Sequence, residues 1–150
     1  FDCSQAIERI LEQKGISFDL DQQNLRLLKM LRKRKYEKEV QLVLSNASKN
    51  DNILLGAYYN NIVVCEVKLN ALDEKYELTI SFKSEKYKNE EFLSVVIEQA
   101  SKYVKNVLKS KEIITKIIRT EENYINVFRS LGFIYENEDD NYVYFLKKSK

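Results

Sequence analysis

The sequence contains no histidine, no proline, three glycines and two cysteines. Without histidine there is no histidine-based zinc site, no histidine triad and no imidazole general base, though a carboxylate could still act as general base. Without proline, and with glycine only at positions 15, 56 and 132, turns must be built from Asn, Asp, Ser and Lys. Cys3 and Cys65 lie far apart, a usage expected of reduced thiols in the cytoplasm. No apolar run is long enough to span a bilayer, and no signal peptide is visible. Charge of one sign is scarce too: 32% of residues are charged but the net is only +2, so no global field draws nucleic acid or a membrane surface.

What is present suffices for one core. At 150 residues and 44% hydrophobic, a single compact domain is expected. The chain begins at Phe1 rather than at an initiator methionine, from which a larger parent protein is expected. Ser4–Lys14 reads as a short helix closed by Gly15, so residues 1–15 are set apart as the end of a preceding segment and 16–150 as the main domain. Ile16, Phe18 and Leu20 alternate with polar residues and predict a first strand. Residues 21–47 carry two helical stripes, Leu27, Leu28 and Leu31, then Tyr36, Val40, Val43 and Leu44. Their phases differ, predicting two helices or a bend near Arg34. The basic run Lys29, Arg32, Lys33, Arg34, Lys35 and Lys38 fits either a phosphate-contacting patch or a solvated helix face. The near-neutral whole chain favours the latter, and nucleic acid is not expected as a partner.

Strands are predicted over 53–59, 62–69 and 76–82, joined by an Asn60–Asn61 hairpin and a turn at 71–75 into an antiparallel meander. A long helix follows, then a strand over 113–119, a helix over 121–131 closed by Gly132, a weak strand just after it, and a last strand over 142–146. The chain is organised around residues 76–110. In KYELTISF, Tyr76, Leu78, Ile80 and Phe82 point one way and Glu77, Thr79, Ser81 and Lys83 the other. In FLSVVIEQASKYVKNVLKS, apolar residues recur at i, i+3, i+4 and i+7 over four turns. A helix starting directly after a strand offers free N–H groups and a positive dipole end, a common phosphate site.

This element order, together with the tail TEENYINVFRSLGF ending in Leu-Gly-Phe, resembles the GNAT N-acetyltransferase superfamily over about residues 16–148. The resemblance implies a bacterial-type α/β domain with a mixed, mostly antiparallel sheet flanked by helices, and acetyl-CoA as cofactor if the protein is active. It places Ile80, Ser81 and Phe82 where the family's third meander strand lends backbone groups to pantetheine. It places Lys88, Asn89, Glu90, Glu91, Phe92 and Leu93 on the family's loop Gln/Arg-x-x-Gly-x-Gly/Ala. Both small residues of that loop are replaced, by Glu91 and Leu93, and two unit charges about 4 Å apart repel by about 4 kcal/mol at an effective dielectric near 20. Phe128 stands where many members carry the tyrosine that protonates the leaving thiolate, and Glu121 where they carry an asparagine. Tyr124 reads as core packing beside Phe128 and Leu131. Glu77 falls where histone-type members keep the carboxylate that deprotonates the amine.

Two functions follow. The first is a non-catalytic binding or regulatory module with no cofactor, serving an adjoining domain or protein partner. The alternative is an active N-acetyltransferase that moves acetyl from acetyl-CoA to an amine with Glu77 as general base. Neither needs a metal or a membrane.

Overall fold

A computed structural model describes residues 18–149. The helix expected over Ser4–Lys14 lies outside them. The chain divides into two compact units, residues 1–39 and 40–150.

In the first unit, α1 is one uninterrupted helix, Phe18–Glu39. The strand expected at 16–20 is therefore corrected where it is described: residues 18–20 are helical, and Ile16 lies outside. Two alternations are too short a pattern to outweigh the run of good helix formers, Gln, Leu, Arg, Lys and Met, that follows. The break expected near Arg34 is absent as well. Leu28 and Tyr36 are buried, while Leu25, Leu27 and Met30 are exposed. The basic run lies wholly on α1.

The second unit is a seven-stranded sheet in the order β1-β2-β3-β4-β5-β7-β6, with two helices. Its strands are β1 Gln41–Leu44, β2 Asn52–Tyr59, β3 Ile62–Leu72, β4 Lys75–Phe82, β5 Glu112–Ile118, β6 Ile134–Glu138 and β7 Tyr142–Lys148. The helices are α2 Glu90–Asn106 and α3 Glu122–Ser130. Strand β1 corrects a second expectation, because Val40, Val43 and Leu44 are spaced as on a helix. The β1–β2 ladder, Gln41↔Tyr58 through Leu44↔Leu55, supplies an alternative set of backbone bonds, and Val is favoured in strands.

Strands β1 to β4 form the antiparallel meander. Asn60 and Asn61 both hold positive φ, 52° and 64°, the backbone a two-residue hairpin of right-twisted strands requires. Asp73, at φ 55°, turns the next hairpin. Helix α2 then crosses over to β5, which runs parallel to β4. The buried side of α2, Phe92, Leu93, Val95, Val96, Ile97, Ala100 and Val104, joins the fully buried Val64, Cys65, Val67 and Leu69 of β3 in the core. The predicted apolar stripe follows this face only to Val104: the helix was expected to run to Ser110 but ends at Asn106, Val107 is exposed, and Lys109 turns the chain at φ 58°. Ser110 Oγ donates to Glu74 O at 2.8 Å and ties the end of the crossover to the β3–β4 turn. Gly132 sits at φ +94°, as expected of the cap after α3.

One pairing positions the site. The β4–β5 ladder holds only Lys75↔Glu112, Tyr76↔Ile113 and Glu77↔Ile114, after which both strands continue, to Phe82 and Ile118, without pairing with each other. The sheet is thus split into a fork. Among the described residues, no helix is long and apolar enough to cross a membrane, and no His, Cys, Asp or Glu group is arranged to hold a metal ion.

Candidate functional site

Where β4 and β5 part, inward-facing backbone groups lose their ladder partners, and such groups need other partners or a ligand. At the apex the protein supplies one itself: the buried Thr115 hydroxyl donates to Leu78 O at 2.9 Å. Beyond it lies an inner cavity of about 420 Å³ between Thr79–Phe82 of β4 and Thr115–Ile118 of β5, roofed by Tyr124 and Phe128 of α3. Ile80, Ser81 and Phe82 all line it.

A smaller outer cavity, about 150 Å³, lies at the start of α2. Its walls are Phe82, Lys88, Asn89, Glu90, Leu93, Glu121, Asn123 and Tyr124. The local sequence closes this helix end on itself. Asn89 is the N-cap, and its Oδ1 accepts from the Phe92 N–H at 2.8 Å, so one free helix donor is already engaged. Glu90 and Glu91 occupy the first turn, where carboxylates complement the helix dipole. Leu93 is buried at the cavity wall, and Glu91 is half-buried and lines neither cavity. Phe92 is fully buried, with ring centroids 6.0 Å from Tyr59 and Phe82 and 6.1 Å from Tyr87. Of the six loop positions, Lys88, Asn89, Glu90 and Leu93 therefore face the outer cavity, and only Lys88 reaches the inner one as well.

Glu77 lies apart from these residues. It sits on the last β4–β5 pair and lines a third cavity, about 460 Å³, with Lys75, Thr115 and the acidic hairpin residues Glu136, Glu138 and Asp139. Thr115 borders both this apex cavity and the fork. Hydrogen bonds to Asp139, from the Tyr144 hydroxyl at 2.6 Å first and then from the amides of Asn141 and Tyr142, hold its carboxyl below the usual range. Glu138 pairs with Arg119 at 3.4 Å.

Tyr124 corrects the sequence reading. It is half-buried and lines both inner and outer cavities rather than serving only as core. Burial, then the nearby Glu121 carboxylate, pushes its hydroxyl up to about 12, so the ring is neutral at physiological pH. Phe128 does pack as expected, edge-on to Phe133 at 5.0 Å, but it also borders the fork. The helical stripe of α3 was visible in sequence; which part of the stripe meets a cavity depended on the fork. Thr115 was missed because one Thr in an apolar strand carries no signal of the neighbour it will bond.

No family model matches the sequence, and no curated protein does. Solved structures do resemble it. The N-acetyltransferase PseH of Campylobacter jejuni, in complex with acetyl coenzyme A, superposes with a TM-score of 0.61 at 15% identity, over 98% of this chain and 92% of that one. The spermidine/spermine N-acetyltransferase SpeG of Vibrio cholerae gives 0.65 at 10%, over 75% and 94%. A GNAT-family acetyltransferase of Streptococcus pneumoniae gives 0.59 at 16%, over 69% and 70%. The forked sheet with its crossover helix is the GNAT N-acetyltransferase fold.

Proposed function

We propose that this chain is a GNAT-fold binding or regulatory module that does not use acetyl-CoA efficiently, acting on behalf of an adjoining domain or protein partner. The observation that carries this reading is the start of α2. There Asn89 occupies a helix donor, Glu90 and Glu121 line a cavity of about 150 Å³, and Lys88 is the one basic residue among the described residues on its wall. A pyrophosphate at such a site meets like charge and a donor already spent. Phe128, at the position where the family often has a proton-donating tyrosine, has no hydroxyl. Titration of the purified protein with acetyl-CoA by calorimetry tests the reading. No heat of binding at micromolar ligand is expected, and micromolar affinity overturns it.

The open fork and the apex cavity favour a second reading, an active N-acetyltransferase. Acetyl-CoA, the ligand in the PseH complex, would lie between β4 and β5, and Glu77 would take the proton of an amine entering from the apex. In that case Glu77→Gln abolishes most acetyl transfer to amines; unchanged transfer removes Glu77 from the mechanism.

A further inference from the structure

The inner and outer cavities share four residues: Phe82, Lys88, Glu121 and Tyr124. Residues lining both stand at their boundary, and two of these four are aromatic rings that touch. Phe82 is the last residue of β4 and Tyr124 lies in the first turn of α3, yet their centroids are 6.4 Å apart in an edge-on arrangement. Neither ring is loosely held. Phe82 is backed edge-on at 6.0 Å by Phe92, which is fully buried and itself contacts Tyr59 and Tyr87. Tyr124 is carried by a helix anchored through the buried Val127 and Phe128. The contact therefore bridges the mouth of the fork from the end of β4 to the start of α3.

Resting on the reading of the cleft given above, we propose that Phe82 and Tyr124 form an aromatic partition that selects what enters the fork, with Tyr124 the specificity-determining residue. A slender neutral ligand with amide groups can occupy the inner cavity alone. A ligand that must run from the start of α2 into the fork, a nucleotide-linked thioester of the acyl-CoA class, has to displace one of the two rings. The Tyr124 ring carries no charge to repel or attract phosphate, so its effect is steric. The carboxylates of Glu90 and Glu121 act separately, on the phosphate end of the same ligand.

Coenzyme A binding to the 150-residue chain, titrated by calorimetry to millimolar ligand so that weak wild-type binding is measurable, in wild type, Tyr124→Ala, Tyr124→Phe and the pair Glu90→Gln/Glu121→Gln, separates these contributions. Tyr124→Ala is expected to bind coenzyme A about tenfold tighter than wild type, a gain of ~1.4 kcal/mol, and Tyr124→Phe to match wild type. If Tyr124→Ala does not fold, as judged by circular dichroism, Tyr124→Val takes its place with the same expectation. Equal affinity of the ring-deleted variant and wild type overturns the partition, as does an equal gain in Tyr124→Phe. A gain confined to Glu90→Gln/Glu121→Gln assigns exclusion to charge alone and also overturns it. Micromolar affinity in wild type defeats the proposed non-catalytic reading instead, and the ratio between Tyr124→Ala and wild type still decides the partition.

Discussion

The inner and outer halves of the cleft are built on different terms. The inner half is a backbone construction: two strands part after Glu77 and Ile114, and the Thr115 hydroxyl bonds Leu78 O at the apex. Its side chains are mostly walls. The outer half is a side-chain construction, in which Asn89, Glu90, Leu93 and Glu121 decide what the end of α2 can hold. The comparison teaches that a scaffold and its ligand chemistry can diverge independently. The fork rests on strand pairing and buried core, whereas the chemistry at the start of α2 rests on a few side chains.

The largest expected effect comes from the residue beneath both halves. Phe92→Ala should cost about 3–5 kcal/mol of stability, because a fully buried ring is lost and the aromatic cluster cannot close around the cavity. Denaturant midpoints read this directly, and a cost under about 1 kcal/mol would mean that the two halves do not share a foundation.

Raising the pH probes the same foundation through Cys65, fully buried in β3, whose thiol burial pushes from 9.0 to about 12. The folded chain holds this proton more tightly than the unfolded one. The contribution is thus complete below pH 9 and lost as pH rises toward 12. Tyr124 adds the same sign between 10 and about 12. Between pH 9 and 11 the Cys65 contribution should fall by about 2–3 kcal/mol, at ~1.4 kcal/mol per pKa unit. Cys65→Ala, though less stable at pH 8, should show a shallower decline; parallel curves would remove Cys65 as the cause.

Thr115→Val tests the apex alone. Leaving the Leu78 carbonyl without its 2.9 Å bond should cost about 1–3 kcal/mol, with hydrogen exchange accelerating in residues 78–82 of β4 before β2 and β3. Uniform acceleration across the sheet would show that the apex bond does not act locally.

Asn89→Ala addresses the outer half. It should cost about 1 kcal/mol, and added pyrophosphate should leave that loss in place, because Glu90 and Glu121 still face the site. Recovery of stability with pyrophosphate would instead mark the start of α2 as an anion site hidden by its cap. Lys83→Ala, which breaks an exposed 3.8 Å pair with Glu66 away from both halves, should change stability by less than about 0.5 kcal/mol.

Much of the fold was legible because it rests on periodic burial. The meander, α2, β5, α3 and β7 follow apolar alternation or a helical stripe, and the Asn60–Asn61 turn follows from the tolerance of Asn for positive φ. Strand β1 was not legible, since Val40, Val43 and Leu44 fit a helix until β2 offers them a ladder. Nor were the first residues of α1, where three alternating apolar positions imitate a strand. At the site, the family resemblance put Ile80, Ser81 and Phe82 on the strand that lines the fork, and put Asn89 in the loop before α2; that Asn89 caps the helix is seen only in the structure. Tyr124 could not, because a half-buried aromatic on an amphipathic helix reads the same whether it meets core or cavity.

By itself, then, the sequence determined the layers: which segments are strands or helices from residue 52 onward, which faces they bury, and that acidic residues stand at the start of α2. These are local matters of spacing, rotamer and turn chemistry. Only the tertiary structure decided where β4 and β5 stop pairing, that Thr115 closes the gap, and that Phe82 meets Tyr124 across it. The reason is physical. A ladder ends where two distant strands diverge and other groups take over its hydrogen bonds, a condition on residues some forty positions apart that no local pattern encodes.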